Sequence, residues 1–234
     1  MKTILCKTDS EWIDAAARIV CKQLTEGRRE AVLALACGET MRPLWDRMAQ
    51  DVKRGAISLR DTRILCVTEL CGVPAEKSCR YRLTKGLLEK TDAKSENCFF
   101  PDPGAPEAYD ALIEALGGID LAVLGIGQNC HIGYNEPGTL FDSRTHVQKL
   151  TDRTKRQFAE RGFTDADIPE RAVTMGVKTL TDARELLLLA RGAEKSAAVF
   201  QMLYAKTTSY IPAAYLQIPL NVTAVLDAGA AEKL

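Results

Sequence analysis

The chain has no Cys-x-x-Cys pair, no apolar run near membrane length and no surplus of charge of either sign, and only two of its 234 residues are histidine. Each shortage removes a class of protein. Lys and Arg number 31, as do Asp and Glu, so the concentrated basic surface that nucleic acid or an anionic membrane requires is missing. The locally basic segment 151–161 reads as a solvated helix face. The eight cysteines show no zinc-ligand spacing. Cys6, Cys21 and Cys66 sit among aliphatic residues, as small core side chains do. The apolar run Ile4-Leu5-Cys6 ends at Lys7, too short for the core of a signal peptide. The expectation is a cytoplasmic protein with free thiols, a small-molecule ligand and neither a nucleic-acid nor a membrane partner.

What the chain does have is alternation. Trp12, Ala15, Ala16, Ile19 and Val20 recur at helical spacing, with Asp9 or Ser10 as candidate cap. Buried-strand runs follow at 31–36 and 63–67, each leading to a loop (Cys37 to Thr40, and Thr68 to Lys77) and then a helix. The helix after the second loop is read as containing Tyr81 and Leu87-Leu88, and Asn97 to Phe100 as a short strand. A helix at 105–116 precedes the strand that opens at Ile119; later come a strand at 185–190, a helix at 193–204 and a strand at 221–226. Strands and helices in this order predict an α/β fold with a doubly wound, mainly parallel sheet, in a single domain over 1–234. The three post-strand loops then converge at one sheet edge, where such folds bind ligands.

The third loop, Gly125 to Gly138, is the richest in chemistry: it holds Gly127, Asn129, Cys130, His131, Asn135 and Glu136. Gly125 and Gly127 begin a dinucleotide fingerprint, but Cys130 occupies its third glycine position and Pro137 falls where the helix should run. The alternative is catalytic. His131 exchanges protons near neutral pH, and Glu136 is near enough in a turning loop to orient the ring. In the first loop, Gly38 permits close backbone approach and Thr40 stands at a helix start, where free N–H groups favour an anion. Glu39 opposes this unless its carboxylate points away. Lys195 also lies at a helix start, a poor place for a cation unless an anion joins it. Cys37 and Cys130, in the candidate site loops, read as packing side chains rather than nucleophiles.

The run Gly127-Gln128-Asn129, His131 and Asn135-Glu136-Pro137-Gly138 resembles the glucosamine-6-phosphate deaminase and 6-phosphogluconolactonase superfamily, nearest to its galactosamine-6-phosphate isomerase (deaminase) branch. Matches continue in order through Thr174 to Lys178, Ala183 to Leu189, Gly192 to Lys195, and Ala205-Lys206 through Ile211-Pro212-Ala213. The resemblance implies a Rossmann-like fold and an amino-sugar 6-phosphate isomerase/deaminase without metal or organic cofactor. A homo-oligomer is allowed, and the sugar epimer is left open. It implies ring opening by His131, orientation of the ring by Glu136, and phosphate contacts from the Cys37–Thr40 loop and Lys195.

The chain departs from the pattern where deaminases carry aspartate before the histidine and this sequence has Asn129, as the galactosamine branch does. Cys130 and Glu39 replace glycines. Most seriously, Thr68-Glu69 replaces the Asp-Glu pair whose aspartate shuttles the proton between C1 and C2; a threonine hydroxyl is a poor base. Either Glu69 has taken over, which needs a rotated backbone because neighbouring side chains on an extended segment point apart, or isomerisation is lost. Lactone hydrolysis and sugar-phosphate binding without turnover are the alternative functions. His146 and Gln148, in the region of the deaminases' basic allosteric site, imply little activation by N-acetylamino-sugar phosphate.

Overall fold

A computed structural model describes residues 1–28 and 30–234. Strands β1 (Lys2–Cys6), β2 (Val32–Leu35), β3 (Arg63–Cys66), β5 (Cys98–Phe99), β6 (Leu121–Gly125), β9 (Glu185–Ala190) and β10 (Val222–Asp227) form one seven-stranded sheet in the order β1-β10-β9-β6-β2-β3-β5. Every pairing in it is parallel. The central strands read as unbroken aliphatic runs because helices cover both faces: all four residues of β2 and all but the first of β9 are buried. One continuous core joins these strands to the helices.

Helix α1 (Asp9–Glu26) is capped by Thr8, not by Asp9 or Ser10. The reason is the capping box: Thr8 Oγ1 accepts from Glu11 N–H at 3.2 Å while the Glu11 carboxylate accepts from Thr8 N–H at 3.3 Å. Neither alternative cap has a Glu or Gln three residues on. Trp12 from this helix is fully buried, its indole N–H shared between Ala190 and Val225 carbonyls at 3.1 Å.

The sequence reading missed a second sheet. Strands β4 (Thr68–Leu70), β8 (Arg171–Thr174) and β7 (His146–Lys149) pair antiparallel, so Thr68, expected to open a loop, opens a strand. Val67 is the joint: its N–H donates to Leu35 O in the main sheet, and its carbonyl accepts from Met175 N, just beyond β8. Helix α3 (Cys79–Gly86) stops before Leu87-Leu88, which were expected inside it. The remaining helices are α2 (Arg42–Lys53), α4 (Pro106–Ala115), α5 (Asp152–Glu160), α6 (Val177–Thr181) and α7 (Ser196–Tyr204). No helix among the described residues is long and apolar enough to cross a membrane.

Strands β2 and β6 are neighbours, and the chain leaves β2 towards β3 on one side and β6 towards β9 on the other. Their carboxyl ends therefore flank a topological switch point, which opens a crevice.

Candidate active site

A cleft of about 790 Å³, counted with its open mouth, occupies that crevice. The loop after β2 lines it with Cys37, Gly38, Glu39 and Thr40, the loop after β6 with Gly127 and His131, and the second sheet with Thr68. Lys195, at the start of α7, closes it. Cys79 and Arg82 of α3, Tyr134, and Thr154, Gln157 and Arg161 from in and beside α5 complete the wall. The sequence alone marks none of these last residues as part of a site. Arg161 was assigned to a solvated face; the amphipathic spacing of Thr154, Gln157 and Phe158, all buried, was the available signal that α5 has an inner side.

His131 is held against Gly127. A Cβ built on Gly127 would lie 2.5 Å from both ring nitrogens, so only glycine lets the imidazole take this position. Gly127→Ala is expected to displace the ring and, where His131 moves protons, to lower turnover about a hundredfold. Steady-state rates beside a melting curve test this, and an unchanged rate with an unchanged fold would contradict it. Cys130 adopts φ 67°, the left-handed region where the resembling family has glycine. Its N–H bonds to Gly127 O and its carbonyl accepts from Ala213 N, each at 2.9 Å, and its thiol donates to Gln201 Oε1 at 3.2 Å. Burial pushes the thiol up to about 11, so it is protonated at neutral pH.

The link from His131 to Glu136 is indirect. Nδ1 lies 3.9 Å from Glu136 Oε2, too far for a hydrogen bond, and 3.5 Å from Thr154 Oγ1. The direct bond expected from the shared loop is replaced by a network. Glu136 Oε2 accepts from Asn129 Nδ2 at 2.5 Å and from Thr151 Oγ1, the cap of α5, at 3.2 Å. Asn129 thus stands behind the histidine rather than in the cleft wall, and Asn135 pins the turn by donating to the Ile132 and Met175 carbonyls. Burial, then the Lys195 and Arg161 charges, hold the His131 imidazole down to about 3, so the ring is neutral across the physiological range.

Glu69 does not reach the cleft. Its Oε1 accepts from Leu70 N at 2.8 Å and Cys79 N at 2.7 Å, and its Oε2 from Arg80 N at 2.8 Å, so the carboxylate caps α3. Thr68 and Glu69 lie on a regular strand paired with β8, so their side chains diverge and the rotated backbone that a Glu69 base required is absent. Thr68 is the one that faces inward, buried, with Oγ1 3.5 Å from the Cys79 thiol. Cys37 lies beside it, its thiol 3.0 Å from that of Cys66. Hydrogen bonds to Cys66 and Cys79, then burial, raise the Cys37 thiol well above its ordinary range. Of the residues lining the cleft, Glu39 alone carries a carboxylate.

Lys195 is 9% exposed, and its charge is disfavoured by burial and by Arg161, against the weaker help of Glu194. Its ammonium has no ion-pair partner among the described residues. A buried cation with like-charged company is an anion site in waiting. The space over Gly38 is open, with nothing within 4 Å of where its Cβ would be.

A doubly wound sheet with a neutral histidine and the cations Lys195 and Arg161 in one cleft at its switch point has the architecture of a small-molecule site suited to an anionic ligand. The chain belongs to the family of glucosamine-6-phosphate isomerases and 6-phosphogluconolactonases, whose model matches residues 7–224. It is 37% identical over 211 residues to a glucosamine-6-phosphate deaminase of Halalkalibacterium halodurans, covering 86% of this chain and 85% of that protein. To the Streptomyces avermitilis enzyme of the same name it is 38% identical, over 91% and 85% of the two chains. Among solved structures, a monomeric glucosamine-6-phosphate deaminase superposes with a TM-score of 0.94 at 32% identity, covering 99% of each chain. The 6-phosphogluconolactonase of Trypanosoma brucei shares the fold, with a TM-score of 0.79 at 21% identity over 100% and 98% of the chains.

Proposed function

We propose that residues 1–234 form one sugar-phosphate isomerase/deaminase domain that converts an amino-sugar 6-phosphate and water to a ketose 6-phosphate and ammonia. The observation that carries this is the shared cleft, in which a neutral His131 and the unpaired Lys195 and Arg161 face the loop after β2. Neutral imidazole takes the O1 proton of the pyranose and returns one to O5, opening the ring. A proton then passes from C2 to C1, water adds at C2, and ammonia leaves from the carbinolamine. Gly38, Thr40, Lys195 and Arg161 hold the phosphate; Glu136, through Asn129 and the α5 cap, fixes the loop that carries His131. Thr68 faces the sugar where the C1–C2 base is needed, which makes that transfer the slow step.

Glucosamine 6-phosphate is the first substrate to test, from the names of the relatives, and galactosamine 6-phosphate the second, from the resemblance of the His131 loop. Ammonia release from both, beside their unphosphorylated sugars, tests the proposal. Lys195→Ala should weaken binding of the phosphorylated sugar by about 10- to 100-fold and leave the unphosphorylated sugar nearly unaffected. Equal losses for both would remove the phosphate role.

The carboxylate-poor cleft favours a second reading, lactone hydrolysis, in which His131 activates water and no C1–C2 shuttle is needed. Release of 6-phosphogluconate from its lactone, with no ammonia from amino sugars, would select it. Binding of sugar phosphate with neither reaction would mark a site that has lost turnover. We place the protein in the cytoplasm on its free thiols, and sedimentation will decide between a homo-oligomer and the monomeric state described for the solved relative.

A further inference from the structure

Glu39 stands between Gly38 and Thr40 in the loop after β2, and its Oε1 lies 3.5 Å from Nη1 of Arg82 on α3. Both line the cleft. Arg82 is the more enclosed partner, 22% exposed against 59% for Glu39, with its guanidinium 5.5 Å from the Phe163 ring. Among the described residues it has no other ion-pair partner. The pair therefore ties the loop after β2 to α3 in the cleft wall, between elements more than forty residues apart in the chain.

An unshielded carboxylate beside a phosphate dianion, in a cleft only partly open to water, weakens binding by roughly tenfold or more. A glycine in its place would avoid that repulsion; this chain carries the charge and a cation aimed at it. With Glu39 and Arg82 cancelling, the lining keeps Lys195 and Arg161, two positive charges for one phosphate dianion.

Building on the phosphate assignment above, we propose that Arg82 is a specificity-determining residue that acts through Glu39. It neutralises the loop carboxylate so that the cleft accepts a single phosphate monoester, and it does not itself ligate the phosphate. Arg82 is thus a positioning residue for the charge of the loop, and Glu39 is compatible with phosphate only in its presence.

The experiment is a charge-removal cycle read by calorimetric titration of glucosamine 6-phosphate and, separately, inorganic phosphate. Arg82→Gln should weaken both about tenfold. Glu39→Gln should bind them as tightly as the parent chain or tighter. The double variant should return to within about threefold of the parent, and unphosphorylated glucosamine should respond to none of the three. A double variant as weak as Arg82→Gln would overturn the inference, because it would make Arg82 a direct ligand. An Arg82→Gln variant that binds like the parent would overturn it as well, by showing that the Glu39 charge does not reach the site. Failure of the parent chain to bind either phosphate compound is a separate result: it removes the phosphate assignment, and this inference with it. Melting temperatures of all three variants identify any loss that comes from unfolding.

Discussion

His131→Gln is expected to reduce ammonia release by about a thousandfold, the middle of the range for removing a positioned acid–base group. Glutamine keeps much of the shape and some of the hydrogen bonding but exchanges no proton. The same variant carries a second readout, because the folded protein holds the imidazole down to about 3 against an ordinary 6.5. Above pH 6.5 neither the folded nor the unfolded chain protonates this ring, so it adds no pH dependence. Between 6.5 and 3 the unfolded chain takes up a proton that the folded chain refuses, and stability falls as pH falls. Removing the histidine removes that slope. His131→Gln should therefore lose less stability than the parent between pH 6.5 and 3, by urea unfolding at a series of pH values. Unchanged turnover would reject the catalytic role; an unchanged acid slope would show that the ring is not buried and neutral.

Thr68→Asp is expected to act in the opposite direction, raising isomerisation by about a hundredfold. Thr68 is buried in the cleft wall, on a strand that directs its side chain inward while Glu69 is directed to the α3 N-terminus. Aspartate is close in size to threonine, so the substitution adds a carboxylate with little change in volume. Lys195 and Arg161 in the same cleft favour its ionised form. Ketose 6-phosphate formation and exchange of the C2 hydrogen with solvent deuterium measure the effect. If the parent chain already exchanges rapidly and Thr68→Asp adds nothing, the proton is carried by another group and Thr68 is not at C2. Glu69→Gln should leave exchange at C2 intact and destabilise α3, because its carboxylate serves three backbone N–H groups rather than substrate.

Much of the site was legible in the chain because its parts are local. Gly127, His131 and Glu136 lie within ten residues, and glycines, an imidazole and a carboxylate after an aliphatic strand carry their own chemical signal. Cys37 to Thr40 was found the same way, by following a strand to its end. Arg82, Thr154 and Gln157 escaped notice because each sits on a helix whose sequence reads as an ordinary amphipathic surface, and Arg161 because it follows such a helix directly; nothing local says which other loop they face.

The parallel sheet needed only the alternation of buried aliphatic runs with helical spacing, since β2, β6 and β9 are apolar on both faces and could go nowhere but the centre. The second sheet was decided by long-range pairing. Strands β4, β7 and β8 are short, only partly apolar, and stabilised by hydrogen bonds to partners up to about a hundred residues away. That pairing, with Val67 bonded to Leu35 of the main sheet and to Met175 just beyond β8, is what turns Thr68 into the cleft and Glu69 out of it. The residue types present in the chain supply an imidazole and several cations; that the imidazole is neutral and shares one cleft with Lys195 and Arg161 is decided by burial in the tertiary structure. Which carboxylates reach the substrate is settled by strand register, because moving one residue along a strand sends the side chain to the opposite face.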